Sequence, residues 1–177
     1  MGEQYDLVVV GGGMVGATTA LALSKTGLKI ALIEHRIPQP FDTDQPLDLR
    51  VSALSPASVE LLNQLDVWPT ILNWRACPYR RMRVWELDED AAGLQGKLAD
   101  KLATEFNSDD MGLSELGYIV ENRLIQRALI EQLQQSAVEL ISEQVRSIDY
   151  SPGASLVELA NDRVLVARLL VAADGGN

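Results

Sequence analysis

Residues 5–36 read YDLVVVGGGMVGATTALALSKTGLKIALIEHR, and the order of residue types in that stretch decides the fold. Tyr5 to Val10 is an apolar, β-branched run ending in glycines, the pattern of a strand buried on both faces of a parallel sheet. From Met14 to Lys25, Val15, Ala17, Ala20, Leu21 and Leu23 recur at helical spacing, and Gly27 stands where a C-cap glycine belongs. Leu28 to Glu34 reads as the next buried strand. Strand, glycine turn, helix, glycine, strand within about thirty residues is a compact right-handed βαβ unit of Rossmann type. Its glycines have separate tasks: Gly11 makes the tight turn, Gly13 lets backbone approach a diphosphate, and Gly16 allows close helix–strand packing. The diphosphate would sit over the helix N-terminus, where N–H groups without partners and the positive dipole end favour an anion. Glu34, at the end of the second strand, is placed to accept hydrogen bonds from a ribose. Its charge would repel a 2′-phosphate, so the dinucleotide is FAD or NAD rather than NADP.

The rest of the chain fits an ordinary globular protein. With 177 residues, 47% of them hydrophobic, it can bury one sizeable core. Fifteen Lys and Arg against twenty-five Asp and Glu give a net charge of -10, which argues against nucleic acid as a partner. One Cys (Cys77) and one His (His35) supply neither an internal disulfide nor a zinc site of the usual ligands. His35 reads as a surface residue with no nucleophile beside it. The N-terminus has no positively charged leader, and no apolar run approaches the roughly 20 residues of a spanning helix. A cytoplasmic protein is expected.

Beyond Arg36 a loop rich in Pro and Asp precedes a helix from Ser55, its cap, to Leu65, with Pro56 at the first position. Met82 to Leu87 alternates as a half-exposed antiparallel strand does. Leu94, Leu98, Leu102 and Phe106, at four-residue spacing, suggest a short amphipathic helix within residues 88–116. Asn122 to Gln135 carries one helical stripe of Leu124, Ile125, Ala128, Leu129 and Leu133. Strands at 138–141 and 144–149 follow, then a hairpin of 156–159 with 164–166, and a further strand at 169–173 ending in Asp174 and Gly175. The expected class is α/β: a parallel, Rossmann-like FAD/NAD(P)-binding sheet with the start of a substrate-facing antiparallel sheet. Its parts are 1–75 (the FAD-binding βαβ portion), 76–121 (strand and loops toward a substrate domain) and 122–177 (return to the FAD-binding domain). The mixture Tyr79, Arg80, Arg81 and Trp85 reads as an edge strand, and the acidic groups Asp88 to Asp90 and Asp109 with Asp110 as solvated loops.

Five blocks, 8–36, DLRVSALSPASVELLNQLDVW at 48–68, PYRRMRVWE at 78–86, LGYIVENRLIQRAL at 116–129 and LLVAADGGN at 169–177, resemble the FAD-dependent aromatic hydroxylases, and LRVSAL with YIVEN resembles the ubiquinone-biosynthesis hydroxylases among them. The resemblance implies an N-terminal portion, about the first two fifths of a complete member, with a second flavin motif beyond Asn177. It implies FAD as cofactor and NAD(P)H or another donor as reductant. It further implies hydroxylation, through a flavin hydroperoxide, of the ring of a polyprenylated phenol or quinol by dioxygen. Such a greasy substrate would be met at the inner face of the membrane or in a biosynthetic complex. Carried over by position, Arg50 would reach the flavin phosphate and ribityl region, Asn122 would contact FAD from the start of its helix with Arg123 as a substitute, Val145 would offer backbone to the adenine, and Asp174 and Gly175 would hold FAD. No catalytic side chain is implied in these residues, and alone they are expected to lack turnover and to self-associate. An NAD-linked dehydrogenase, another FAD-dependent oxidoreductase or a non-catalytic nucleotide-binding module would share the glycine loop and Glu34.

Overall fold

A computed structural model of the chain describes residues 2–85 and 103–175. Strand β1 (Glu3–Val10), helix α1 (Met14–Leu23) and strand β2 (Ile30–Ile33) form the expected βαβ unit. After the proline-rich loop come β3 (Val51–Leu54), α2 (Pro56–Gln64), α3 (Trp68–Trp74), β4 (Cys77–Tyr79), β5 (Arg81–Val84), β6 (Thr104–Asn107) and β7 (Gly117–Glu121). Helix α4 (Asn122–Leu133) then leads to β8 (Glu139–Ile141), β9 (Val145–Ser151), β10 (Ala154–Leu159) and β11 (Val164–Ala172).

The main sheet runs β8-β2-β1-β11-β10-β9. Its first four strands are mutually parallel, and β9, β10 and β11 form an antiparallel meander. Period-two alternation divides the core. Leu7, Val9, Ile30 and Leu32 face the helices and pack with Ala17, Ala20 and Leu21 of α1 and the Leu124–Leu133 stripe of α4. Val8, Ala31, Ile33 and Ile141 face the other way, against Val157, Leu159, Leu165 and Ala167 of the meander. The meander therefore curls over the face opposite the helices. Connectivity demands it: only residues 142–144 separate β8 from β9, a reach of roughly 14 Å, whereas five strand spacings in a flat sheet would put these edges about 24 Å apart. Arg163 at the β10–β11 turn closes the curl with ion pairs of 2.9 Å to both Glu3 and Glu139.

Several expectations need correction. Helix α1 ends at a right-handed Ser24 cap, and Gly27, with φ +81°, turns the chain three residues later. The expected strands at 164–166 and 169–173 are one strand, β11, which runs unbroken from Val164 to Ala172 through exposed Arg168, paired with Asp6 at 2.9 Å. Met82 and Val84 lie in β5, whose residues are all exposed, so the alternation there does not mark a buried face. Phe106 belongs to strand β6, and the rest of the proposed 94–106 helix, like Glu86, Leu87 and the Asp88–Asp90 cluster, lies almost wholly outside the described residues. Ser55 does cap α2, its Oγ accepting from the N–H of Ser58. No described helix is long and apolar enough to cross a membrane.

Candidate nucleotide site

The four parallel strands point their C-terminal ends the same way, and the chain visits them in the order β1, β2, β8, β11. The first three proceed to one side of β1 and the last lies on its other side. The order therefore reverses between β1 and β11, where an open α/β sheet leaves a crevice for a ligand. The glycine loop leaves β1 at this point. The N–H of Ala173 donates to the carbonyl of Val10 at 2.7 Å, which carries Asp174 and Gly175 to the same place.

Sterics explain most of the glycines. Gly11 has φ +98°, and a Cβ there would lie 2.5 Å from the carbonyl oxygen of Ala173. A Cβ on Gly16 would lie 1.9 Å from the carbonyl oxygen of Gly11, so α1 can approach β1 only without one. Gly13 differs. Its φ of -65° and ψ of -178° suit any residue, and a Cβ would meet nothing within 4 Å. The protein's own packing thus leaves the space over Gly13 open, at a helix N-terminus with no side-chain cap and no acidic residue in its first turn. N–H groups of that turn lack intrahelical partners. An open cradle facing such donors suits a diphosphate, so these residues fit FAD.

Glu34 closes the other side. Its carboxylate accepts from the N–H of Gly12 at 2.9 Å and from the N–H of Arg36 at 2.7 Å, and the side chain is 11% exposed. With about four lone-pair directions on a carboxylate, capacity remains for ribose hydroxyls. Exposed His35 places Nδ1 3.6 Å from the same carboxylate.

Two participants went unread in the sequence. Gly12 is buried, and a Cβ there would stand 2.6 Å from Cβ of Glu34. Gln126 donates from Nε2 to the carbonyl of Gly12 at 2.8 Å, clamping α4 to the loop. The triple glycine was the available signal for Gly12. Gln126 follows Asn122 by four residues and so shares its face of α4.

Arg50 and Asn122 are neighbours: the N–H of Asn122 donates to the carbonyl of Arg50 at 2.9 Å, and the Asn122 side chain accepts from Ser52 Oγ at 2.7 Å. Arg50 is exposed. Arg123 turns elsewhere, to Glu121 at 2.7 Å and the carbonyl of Pro46, so it does not stand in for Asn122. Val145 begins β9, in register with Leu159, its side chain against the meander's apolar cluster. The structure gathers Gly11, Gly13, Gly16, Glu34, Asp174 and Gly175 at the switch point, links Asn122 and Arg50 to it through α4, and leaves Val145 within the meander.

Comparison with known proteins agrees with this geometry. Residues 6–42 match the family "FAD dependent oxidoreductase". The chain is 35% identical over 99% of its length to 3-demethoxyubiquinol 3-hydroxylase of Escherichia coli (strain K12), covering 42% of that protein. It is 36% identical over 98% of its length to the mitochondrial ubiquinone biosynthesis monooxygenase COQ6 of Xenopus tropicalis, covering 38%. Its fold is that of p-nitrophenol 4-monooxygenase PnpA from Pseudomonas putida DLL-E4, with a TM-score of 0.71 at 20% identity over 99% of this chain and 41% of that one. The glycine-loop segment matches FAD-dependent oxidoreductases, and the chain as a whole is similar to the ubiquinone-biosynthesis hydroxylases across about two fifths of their length.

Proposed function

We propose that the full-length protein carrying this chain is an FAD-dependent monooxygenase that hydroxylates the ring of a polyprenylated phenol or quinol on the way to ubiquinone. The observation that carries this reading is the coincidence of an open, uncapped cradle over Gly13 with similarity to ubiquinone hydroxylases along nearly the whole chain. When bound, the flavin supplies the oxygen chemistry, fed by dioxygen and by NAD(P)H or another reductant.

The chain's own residues bind and orient. Gly11, Gly13 and Gly16 bring the first turn of α1 to the diphosphate, and Glu34 accepts from the adenosine ribose. Asn122, Arg50, Asp174 and Gly175 extend the contacts toward the flavin end, with backbone at Val145 beside the adenine. Residues 1–75 and 122–177 form the FAD-binding part, and 76–121 lead toward a substrate domain. The substrate's polyprenyl tail places the reaction at a membrane face or within a biosynthetic complex, reached from the cytoplasm.

Deleting the full-length gene and identifying the accumulated quinone precursor by mass spectrometry tests the proposal. The expected precursor lacks one ring hydroxyl; an unchanged quinone pool overturns the reading. The absorption spectrum of purified full-length protein excludes an NAD-linked dehydrogenase if it shows bound flavin.

A further inference from the structure

Side chains from two other elements hold the glycine loop at Gly12. That residue is buried, and both of its polar backbone groups are bonded. Its N–H donates to Oε2 of Glu34, just past β2, at 2.9 Å. Its carbonyl accepts from Nε2 of Gln126, on α4, at 2.8 Å. A carbonyl can only accept, so the atom of Gln126 that faces it must be the amide nitrogen.

The second bond has a geometric consequence. The peptide between Gly12 and Gly13 is trans, and in a planar trans peptide the C=O of one residue and the N–H of the next point in opposite directions. Holding the Gly12 carbonyl toward α4 therefore turns the N–H of Gly13 away from α4. Among the described residues that N–H donates to no partner. The first bond of α1, from the N–H of Ala17 to the carbonyl of Gly13 at 2.9 Å, begins beyond it, so the Gly13 N–H adds one more free donor to those of the helix's first turn. Gly12 and Gly13 both lack a Cβ, and the plane between two glycines rotates at little steric cost. Among the described residues Gln126 makes the one hydrogen bond that fixes this plane. In the rotated plane the carbonyl oxygen, the negative end of the peptide dipole, would take the place of the donor.

We propose that Gln126 is a positioning residue for the diphosphate: by holding the Gly12 carbonyl it keeps the Gly13 N–H turned outward as a donor to the anion. The inference rests on the FAD placement proposed above. The residue type suits the task, because a neutral amide supplies the donor and sets no charge beside the anion. Glutamate, of the same shape, would set a carboxylate against the carbonyl. Methionine, of similar length, would fill the space and donate nothing. These two replacements separate the orienting bond from packing between α4 and the loop.

Flavin-free full-length protein is titrated with ADP and with adenosine, each followed by ligand-observed NMR, as the parent, as Gln126→Met and as Gln126→Glu. Adenosine brings the ribose to Glu34 but carries no diphosphate, so it reads that side of the site alone. The parent should bind ADP more tightly than adenosine. Gln126→Met should weaken ADP by roughly 3–10-fold, as the loss of one neutral hydrogen bond does, and Gln126→Glu should weaken it further. Adenosine should keep its affinity in both variants. An equal loss for the two ligands would make Gln126 a packing contact and overturn the proposal, as would an undiminished preference for ADP in Gln126→Met. If circular dichroism shows Gln126→Glu unfolded, Gln126→Met, which keeps the length of the side chain, decides alone. A parent with no preference for ADP removes the diphosphate from the cradle, and the FAD placement falls together with the inference. A preference shared by parent and variants overturns the inference and leaves the FAD placement standing.

Discussion

Replacing Gly13 by valine separates cofactor binding from folding. The backbone at Gly13 is extended and a Cβ meets nothing within 4 Å, so the folded state accepts the side chain without strain. Lower unfolded-state entropy contributes about 0.4–1 kcal/mol of stability. Loss of a favourable N-cap residue removes on the order of 1 kcal/mol. The two nearly cancel, and the melting temperature of the flavin-free protein should stay within a few degrees of the parent. Binding is another matter, because the isopropyl group occupies the space a diphosphate needs to reach the first turn of α1. Losing two charge-assisted hydrogen bonds at about 1.5–3 kcal/mol each weakens FAD by roughly 10²–10⁴-fold. Full-length Gly13→Val should purify folded but colourless. The contrasting variant, Gly16→Ala, drives a Cβ to 1.9 Å from the Gly11 carbonyl and should fail by unfolding. Circular dichroism melts and flavin fluorescence titrations read the two properties separately. Stoichiometric FAD in folded Gly13→Val would refute the placement of the diphosphate.

Glu34→Ala in the full-length protein should weaken FAD by roughly 10–150-fold through the lost ribose contact, measured by fluorescence titration; an unchanged dissociation constant in folded protein would place the ribose elsewhere. Glu139 is held below the usual carboxylate range first by the hydrogen bond from Tyr5, at 2.5 Å, and then by Arg163. Its folded-state pKa is depressed, so its stabilisation is present above about pH 4.5 and is lost as pH falls through the folded value. Glu139→Gln should therefore lower the melting temperature near neutrality and flatten its decline below that pH, and an acid limb identical to the parent's would remove Glu139 from the account. The chain of residues 1–177 alone should bind FAD far more weakly than the full-length protein, since the proposed flavin-end contacts are incomplete within it; equal affinity in a titration would show that this chain supplies every contact that matters.

Much of this was legible in the sequence because local chemistry and tertiary environment agree there. β2 and the Leu7–Val9 part of β1 are buried on both faces, and those residues are apolar throughout, so sequence and burial tell one story there. The stripe Leu124, Ile125, Ala128, Leu129 and Leu133 was read correctly, and all five residues are buried. Where the reading failed, a tertiary contact overrode a local signal. Residues 164–166 and 169–173 read as separate strands, yet β11 runs unbroken through Arg168, whose charge Asp6 receives across the sheet. Gly27 looked like a helix cap because glycine follows the last apolar residue, yet the helix had already ended at Ser24.

The candidate site divides along the same line. Gly11 and Gly16 are demanded by the protein's own backbone, so any reader of the spacing finds them. Gly13 is demanded by nothing in the chain, and for that reason its absence of a side chain is the strongest pointer to a ligand. Arg75 and Glu121 were invisible beforehand: they lie 46 positions apart, and only the antiparallel pairing of β7 with β4 brings the guanidinium Nε to 3.2 Å from the buried carboxylate. A motif declares itself when its parts are neighbours in sequence. A contact assembled across strands, as that between Arg75 and Glu121 is, declares itself only once the strands have paired.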